Sequence, residues 1–222
     1  MKISEIFYSV QGEGALIGVP SVFVRTSGCN LRCSWCDTPY TSWRPDGVEM
    51  NLSDILDKAA AFPAQHVVLT GGEPMIAAQA PELLTAFKAR GFHITIETAG
   101  TVDANVNCDL MSISPKLSNS TPQGPFQAQH ERLRINIEVL RSLMRFPHQL
   151  KFVIADPSDM TEVRQLVKQI EAKPSSVMLM PEGVEQSVLR ERSLWLVEEA
   201  KSHGYRFSPR LHVDLYGNKR GV

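Results

Sequence analysis

The chain has 222 residues, of which 43% are hydrophobic and 21% are charged, and its formal net charge is -1. This composition is typical of a globular protein with one sizeable core. Basic and acidic residues are interspersed, so no nucleic-acid partner is indicated. We find neither a signal-peptide core nor an 18-residue apolar run. We therefore expect no membrane partner, and we expect the protein to be cytoplasmic.

Short apolar runs alternate with helix-like segments along the chain. Runs rich in β-branched residues and bounded by Gly, Pro, Ser or Asp are typical of strands. We predict strands at 21–27, 66–72, 93–100, 110–114, 150–156 and 176–180. Apolar periodicity and end signals predict helices at 53–62, 80–90, 131–145, 159–172 and 187–203.

Local signals support several of these helices. Ser53 is a candidate N-cap, and Asp159 and Glu162 have the spacing of a capping box. Segment 131–145 also alternates like a strand, so both interpretations stay open there.

The order of the predicted elements indicates the fold class. Repeated strand–helix units indicate an α/β fold with parallel strands and right-handed crossovers. About six units favour a partial TIM-like (βα)6 barrel, because a complete eightfold barrel needs roughly 250 residues. We find no linker and expect one domain over residues 1–222. The C-terminal tail, residues 206–222, fits no strand–helix unit.

Three of the four cysteines lie in one short segment, "GCNLRCSWCDT", which we call the cluster loop (residues 28–38). Their spacing is Cys29-x-x-x-Cys33-x-x-Cys36. Clustered cytosolic cysteines bind metal more often than they form disulfides. Structural zinc needs four ligands, so a zinc site completed by a distant residue stays an alternative. A 4Fe–4S cluster with three cysteines leaves one iron open for a small molecule, such as the amino and carboxylate groups of S-adenosylmethionine (SAM).

Glycine and polar residues follow several predicted strands. "TGGEP" (70–74) follows "VVL", and its glycines would let the backbone approach a ligand closely. Glu97 ends "HITIE", and Ser114 and Lys116 follow "LMSI". Each alone is more often a turn or surface residue. Together they favour a site, because the carboxyl ends of parallel strands form one rim.

The cysteine spacing, Trp35 before the last cysteine, and "TGGEP" resemble the radical SAM superfamily. Together with "EIFYSVQGEG" (5–14), "IETAG", "SPK" and the ending "LHVDLYGNKRGV", they resemble the 7-carboxy-7-deazaguanine synthase (QueE) family. That resemblance implies a lyase that converts 6-carboxy-5,6,7,8-tetrahydropterin to 7-carboxy-7-deazaguanine with loss of ammonia, for queuosine and other 7-deazapurines. It also implies a 4Fe–4S cluster, SAM, Mg2+, a homodimer and a flavodoxin-like electron donor.

The resemblance further assigns roles to matching positions. No side chain is expected to be catalytic, because a radical derived from SAM carries the chemistry. The metal ligands are expected to be Cys29, Cys33 and Cys36 for the cluster and Thr38 for Mg2+. Substrate contacts are expected at Val10, Gln11, Gly12, Glu13, Arg25, Thr70, His212 and, through its terminal carboxylate, Val222. SAM contacts are expected at Trp35, Cys36, Asp37, Gly72, Glu97, Ser114, Pro115, Lys116, Met180, Pro181, Glu182 and Gly183.

Two interpretations refine these assignments. Arg25 is expected to pair the substrate carboxylate as a fork. Met180 stands where relatives have Gln, so only a backbone contact is expected there. Asp214, Tyr216 and Lys219 of the tail are interpreted as structural.

Two rival functions belong to other classes. Another radical SAM enzyme, such as a glycyl-radical activase, shares the cysteine spacing but gives no reason for "QGEG" or "GNKRGV". A non-catalytic zinc or iron–sulfur protein would bind a partner and have no affinity for SAM.

Overall fold

Nine strands form a single sheet in the computed structural model, which describes all residues from Met1 to Val222. They are β1 (Lys2–Val10), β2 (Pro20–Thr26), β3 (Val48–Glu49), β4 (His66–Gly71), β5 (His93–Thr98), β6 (Leu110–Ile113), β7 (His148–Ile154), β8 (Val177–Pro181) and β9 (Arg206–Phe207). The spatial order is β3-β1-β2-β4-β5-β6-β7-β8-β9.

The pairing within the sheet is mostly parallel. Neighbouring strands from β2 through β4 to β9 run parallel, whereas β1 pairs antiparallel with both β2 and β3. All six predicted strands are confirmed, and they provide the central strands of the sheet. The sheet is open, with β3 and β9 at its edges. The expected α/β class is therefore confirmed.

Eight helices accompany the sheet. They are α1 (Pro39–Ser42), α2 (Leu52–Ala60), α3 (Ala80–Ala89), α4 (Gln127–Leu133), α5 (Ile137–Leu143), α6 (Asp159–Gln169), α7 (Gln186–His203) and α8 (Leu211–Tyr216). Four of the five predicted helices are confirmed as α2, α3, α6 and α7. No helix combines the length and the apolar character that crossing a membrane would require.

The prediction of one helix, or alternatively a strand, over residues 131–145 is wrong. The segment contains the end of α4 and the whole of α5, with a break at residues 134–136. Asn136 has an extended backbone, and its side chain accepts a hydrogen bond from the Val139 N–H at 3.2 Å. This N-cap starts a new helix, because its extended backbone interrupts the helical conformation at residue 136.

Two predicted caps are also wrong. Helix α2 begins at Leu52, one residue before Ser53, and Asn51 occupies the N-cap position. Asp159 lies inside the first turn of α6, where its carboxylate accepts from the Ala155 N–H at 2.8 Å. Glu162 accepts from the Ser118 N–H at 2.9 Å, so it binds the loop after β6 rather than the start of its own helix.

The core explains why the parallel strands read as nearly continuous apolar runs. Val67, Val68 and Leu69 of β4 are all buried, and so are Ile94 and Ile96 of β5. Parallel strands covered on their faces need apolar side chains on both sides. Strand β1, "KISEIFYSV", mixes polar and apolar residues, so its sequence carries no such signal.

Candidate active site

A cavity of ≈ 500 Å³ lies at the carboxyl ends of the parallel strands. Every strand from β4 to β8 contributes to its wall or is followed at once by a residue that does, and β2 contributes Arg25. Residues 10–13 and the end of the tail, residues 218–222, complete the wall. This volume lies in the range that encloses a small organic ligand.

A second cavity of ≈ 120 Å³ is lined by Cys29, Cys33 and Cys36. It shares wall residues with the larger cavity, among them Trp35 and Lys116. Burial raises the pKa of Cys29 to about 11 and that of Cys33 to about 12. These thiols therefore keep their protons until a metal displaces them.

The three thiols line one cavity, which suits a cluster of several irons held by thiolates. A zinc site would need a fourth ligand from elsewhere in the chain. Cys108 is buried in the main core and lines neither cavity.

The cluster loop is held closely by the end of β4. The Glu73 N–H donates to the Gly28 carbonyl at 2.9 Å. A Cβ on Gly72 would lie 2.2 Å from the Gly28 oxygen and 2.7 Å from the Cys29 Cβ. Glycine is therefore required at Gly72 by the approach of the loop itself, apart from any contact with SAM.

Glu73, the carboxylate of "TGGEP", does not face the cavity. It is fully buried, and it accepts hydrogen bonds from the Met75 N–H at 3.0 Å, the Thr98 hydroxyl at 2.8 Å and the Ala99 N–H at 2.8 Å. Burial raises its pKa. Its bonds join the ends of β4 and β5, the two strands beside the cluster loop.

The other side of the cluster loop is held by residues 117–130. The Arg32 N–H donates to Nδ1 of the buried His130 at 3.1 Å. Nδ1 is therefore the acceptor, and Nε2 carries the proton that reaches the Ser120 hydroxyl at 2.9 Å. The Trp35 indole donates to the Asn119 carbonyl at 3.0 Å. Sequence reasoning missed this support, because nothing near His130 resembles a motif.

All eight predicted substrate residues line the large cavity. The buried Gln11 side chain donates to the Ser21 hydroxyl at 3.0 Å, which fixes its orientation. His212 packs on Gly12 so closely that a Cβ there would lie 2.0 Å from its Nδ1. Burial lowers the pKa of His212, so its imidazole is neutral at pH 7. Their contacts with a substrate stay predictions.

The residues that are predicted to contact SAM do not all line the same cavity. Pro115 and Pro181 line neither cavity, and Cys36 lines the smaller one. The large cavity is lined by Trp35, Asp37, Gly72, Glu97, Ser114, Lys116, Met180, Glu182 and Gly183. Lys116 donates to the Ser114 hydroxyl at 2.8 Å and lies 5.7 Å from the centre of the Trp35 ring. Thr38 borders both cavities.

A chain of ion pairs around two buried cations, Lys151 and Arg210, crosses the cavity wall. Lys151 Nζ contacts Glu13 at 2.5 Å and Glu97 at 3.1 Å, and its side chain is only 4% exposed. Arg210 contacts Glu13 at 3.1 Å and also Asp37. Burial alone would raise the pKa of Glu13, but Lys151 and Arg210 outweigh it and hold that pKa well below its usual value.

Arg25 is already engaged on one side. Its Nε donates to Glu5 at 2.6 Å, and its guanidinium lies 5.5 Å from the centre of the Phe7 ring. Glu5 also accepts from the Tyr40 hydroxyl at 2.9 Å and from Arg220 Nε at 3.3 Å. Any fork that Arg25 offers to a substrate must therefore use its terminal Nη groups.

Sequence reasoning missed several residues of this wall. They include Phe7, Phe23, Tyr40, Lys151, Arg210, Lys219 and Arg220. Lys151 carried a signal, since a lysine within the apolar run "LKFVIAD" is unusual in a buried strand. The structural interpretation of Lys219 is incomplete, because this residue lies on the cavity wall.

Comparison with known proteins tests the family resemblance that the sequence motifs indicate. The family model of the radical SAM superfamily matches residues 23–121. A 7-carboxy-7-deazaguanine synthase from Rhodopirellula baltica is 44% identical over 100% of this chain and 89% of its own length. The synthase from Halobacterium salinarum is 44% identical over 98% of this chain and 91% of its own.

Solved structures agree with these sequence matches. The crystal structure of QueE from Escherichia coli superposes with a TM-score of 0.75 at 25% identity, covering 95% of this chain and 94% of that one. Streptococcus suis SuiB bound to S-adenosylmethionine has a TM-score of 0.55 at 13% identity, over 82% of this chain and 48% of SuiB, and supports the fold alone. The chain therefore belongs to the 7-carboxy-7-deazaguanine synthase family and is a radical SAM lyase.

Proposed function

We propose that the large cavity binds 6-carboxy-5,6,7,8-tetrahydropterin and that the protein contracts it to 7-carboxy-7-deazaguanine, with release of ammonia, for queuosine or another 7-deazapurine. The observation that carries this proposal is one cavity of ≈ 500 Å³ that adjoins the three-cysteine cavity. With a 4Fe–4S cluster and SAM in place, the cofactors supply a radical that removes hydrogen from the substrate. The protein then has to orient the pterin and exclude water.

Residues 10–13 form the acceptor side of the proposed pterin site. Glu13 stays ionised because Lys151 and Arg210 hold its pKa low, so it presents only acceptors. Those acceptors suit the N–H groups along the edge of a pterin ring. Gln11 adds an amide whose orientation is fixed by Ser21. The terminal Nη groups of Arg25 are left to bind the substrate carboxylate.

The SAM side of the cavity is proposed to lie next to the cluster loop. Glu97 offers a carboxylate to ribose hydroxyls, and Lys116 and Ser114 offer donors to a carboxylate or ribose. Gly72 lines both cavities and can offer its backbone to the ligand. Trp35 presents its ring along the wall that both cavities share.

Magnesium is proposed at Thr38, between the two cavities. Its hydroxyl is a single hard ligand, and Asp37 beside it is engaged by Arg210. An ion held there would therefore keep several waters and substrate oxygens, as Mg2+ commonly does.

We also propose a domain organisation, a cellular location, an oligomeric state and an electron donor for the enzyme. One domain spans residues 1–222, and the tail, residues 206–222, closes the site. The enzyme works in the cytoplasm, where its thiols stay reduced, as a homodimer that receives electrons from a flavodoxin-like donor. Family resemblance supports the dimer, the donor and the magnesium ion.

The test is an anaerobic assay with reconstituted protein, a reductant, SAM, Mg2+ and carboxytetrahydropterin. We expect a deazapurine acid and ammonia in equal amounts, with no net loss of SAM and with lower activity after chelation of Mg2+. No product from protein with a full complement of iron and sulfide would contradict the proposal. SAM cleavage without turnover of the pterin would favour a different radical SAM enzyme.

A further inference from the structure

Six cationic side chains line the large cavity, and they differ in whether a carboxylate neutralises them. Arg25, Lys151, Arg210 and Arg220 each form at least one ion pair within the protein. The other two, Lys116 and Lys219, form none. An anionic ligand will be attracted most strongly to cations whose charge is not already compensated.

Lys116 belongs to the cofactor side of the cavity. Its ammonium is bound to Ser114 at 2.8 Å, and it also lines the smaller cavity that contains the cysteines. Lys219 is different. It is exposed on the tail, its ammonium makes no hydrogen bond, and it lines only the large cavity. Lys219 is therefore the one free cation on the substrate side.

The neighbours of Lys219 place it at the end of the cavity where Arg25 lies. The next residue, Arg220, donates to Glu5 at 3.3 Å, and Arg25 donates to the same carboxylate at 2.6 Å. Arg220 also contacts Asp46 at 2.9 Å. These two arginines and two acids neutralise one another, so a substrate carboxylate placed on Arg25 would add an uncompensated negative charge.

We propose that Lys219 binds the carboxylate of the substrate together with Arg25 and is a specificity-determining residue for the carboxylated pterin. The proposal rests on the proposed function. No carboxylate within the protein pairs with this lysine, and the terminal carboxylate of Val222 forms no ion pair either. Arg25 supplies the directed hydrogen bonds, whereas Lys219 supplies charge on a flexible stem.

The test compares Lys219→Met with Lys219→Arg, and with Lys58→Met as a matched control. Lys58 is an exposed, unpaired lysine on α2 that lines neither cavity. Binding is measured anaerobically in the presence of SAM without a reductant, so that no turnover occurs. The probes are 6-carboxytetrahydropterin and tetrahydropterin without the carboxylate.

We expect Lys219→Met to weaken binding of the carboxylated pterin about two- to fivefold, the range for an exposed charged contact. Binding of the uncarboxylated pterin should be unchanged. Lys219→Arg should retain most of the preference, and Lys58→Met should match the wild-type protein. With reductant, the KM of Lys219→Met should rise while kcat stays near the wild-type value.

Three results would overturn the assignment. A Lys219→Met protein that keeps the wild-type preference for the carboxylated pterin excludes a role for this lysine in specificity. Equal losses for both pterins would indicate a structural role of the tail instead. A wild-type protein that neither binds nor converts the carboxylated pterin contradicts the proposed function itself, and the Lys219 assignment with it.

Discussion

Lys151 shows how much of this site depends on one buried charge. It lies in β7, where its neighbours Leu150 and Phe152 are fully buried. A charged lysine in that position is tolerated only if carboxylates form ion pairs with it, and Glu13 and Glu97 both do. Its burial would lower its pKa, but those two carboxylates raise it instead, so the ammonium keeps its charge.

Replacement of Lys151 by Met should destabilise the protein by about 3 kcal/mol, because two acids in the cavity wall lose their shared partner. The loss should be complete at pH 7 and should shrink only as the pH falls below 4.5, the ordinary pKa of a glutamate. In the wild-type protein the pKa of Glu13 is depressed, so its contribution is present above the unfolded pKa and is lost as the pH falls. Denaturant unfolding at several pH values measures this.

Lys151→Arg is the matched control, because it keeps the charge with altered geometry. We expect it to recover more than half of the lost stability. A loss for Lys151→Met that does not depend on pH would mean that packing, rather than charge pairing, accounts for it.

The cysteines make a second prediction at the residue scale. Cys33→Ala should abolish the iron–sulfur cluster, because Cys33 lines the smaller cavity with Cys29 and Cys36. Cys108→Ala should keep the wild-type iron and sulfide content, because Cys108 packs in the main core. It should lose only about 1 kcal/mol of stability, since one small buried group is removed. Iron and sulfide analysis after anaerobic reconstitution checks the cluster content of both variants, and unfolding curves check the stability of Cys108→Ala. Loss of the cluster in Cys108→Ala would contradict the assignment of this cysteine to the core.

The sequence predicts the site residues that lie within motifs, but it does not predict the residues that bond to them. Glu13 and Arg25 lie within segments whose residue order resembles a family, and both line the cavity. Lys151 and Arg210 bond to Glu13 across 138 and 197 positions of the chain. No local pattern predicts a contact at such separations, because the contact exists only after the sheet and the tail have assembled.

The cluster loop is the element on which the chemistry depends, and it has little regular structure of its own. On one side the residues that follow β4 hold it, through the bond from the Glu73 N–H to the Gly28 carbonyl. On the other side the Arg32 N–H donates to Nδ1 of His130, and the Ser34 N–H donates to the Ser120 carbonyl. The Ser120 hydroxyl contacts Nε2 of His130 and so fixes the orientation of the ring. Two neighbouring segments thus set the positions of the three thiols.

Gly72→Ala should therefore disturb the loop more than the strand that carries it. The new Cβ would lie 2.2 Å from the Gly28 carbonyl oxygen, a backbone atom that cannot turn away. We expect a loss of about 2 kcal/mol from overpacking. We also expect a reduced iron content after reconstitution, because Cys29 is the next residue in the loop. Unfolding curves of the protein without iron separate the two effects.

Gly91→Ala is the control for this change. A Cβ at Gly91 meets nothing within 4 Å, although its φ of +81° disfavours alanine. Backbone strain there should reduce stability by about 1 kcal/mol and leave the iron content unchanged. Equal iron losses in the two variants would show that general destabilisation, and not the loop contact, removes the cluster.

Prediction of the elements themselves succeeded where one physical signal dominated. The six predicted strands are short apolar runs, and burial on both faces requires such runs. The failures have identifiable causes. Asn136 interrupts the apolar period of segment 131–145 with a cap, and β1 is stabilised by antiparallel pairing with β2 despite its mixed sequence.

At the scale of the whole molecule, the two ends of the chain meet beside the cavity. Arg220 contacts Glu5 and Asp46, and its guanidinium lies 4.1 Å from the centre of the Tyr40 ring. Residues 218–222 form part of the cavity wall. This contact therefore attaches the last part of the tail to β1 and to α1, which directly follows the cluster loop.

Arg220→Ala should release the end of the tail while the rest of the fold stays intact. The two ion pairs and the ring contact each contribute at most about 1 kcal/mol because Arg220 is partly exposed, so their loss should raise the open population about tenfold. Carboxypeptidase should then remove Val222 faster, and the KM for the pterin should rise. SAM binding should change little. Arg44→Ala is the control, because this exposed arginine forms no side-chain bond and lines neither cavity. Unchanged proteolysis in Arg220→Ala would mean that packing of α8, rather than the Arg220 contacts, holds the tail against the site.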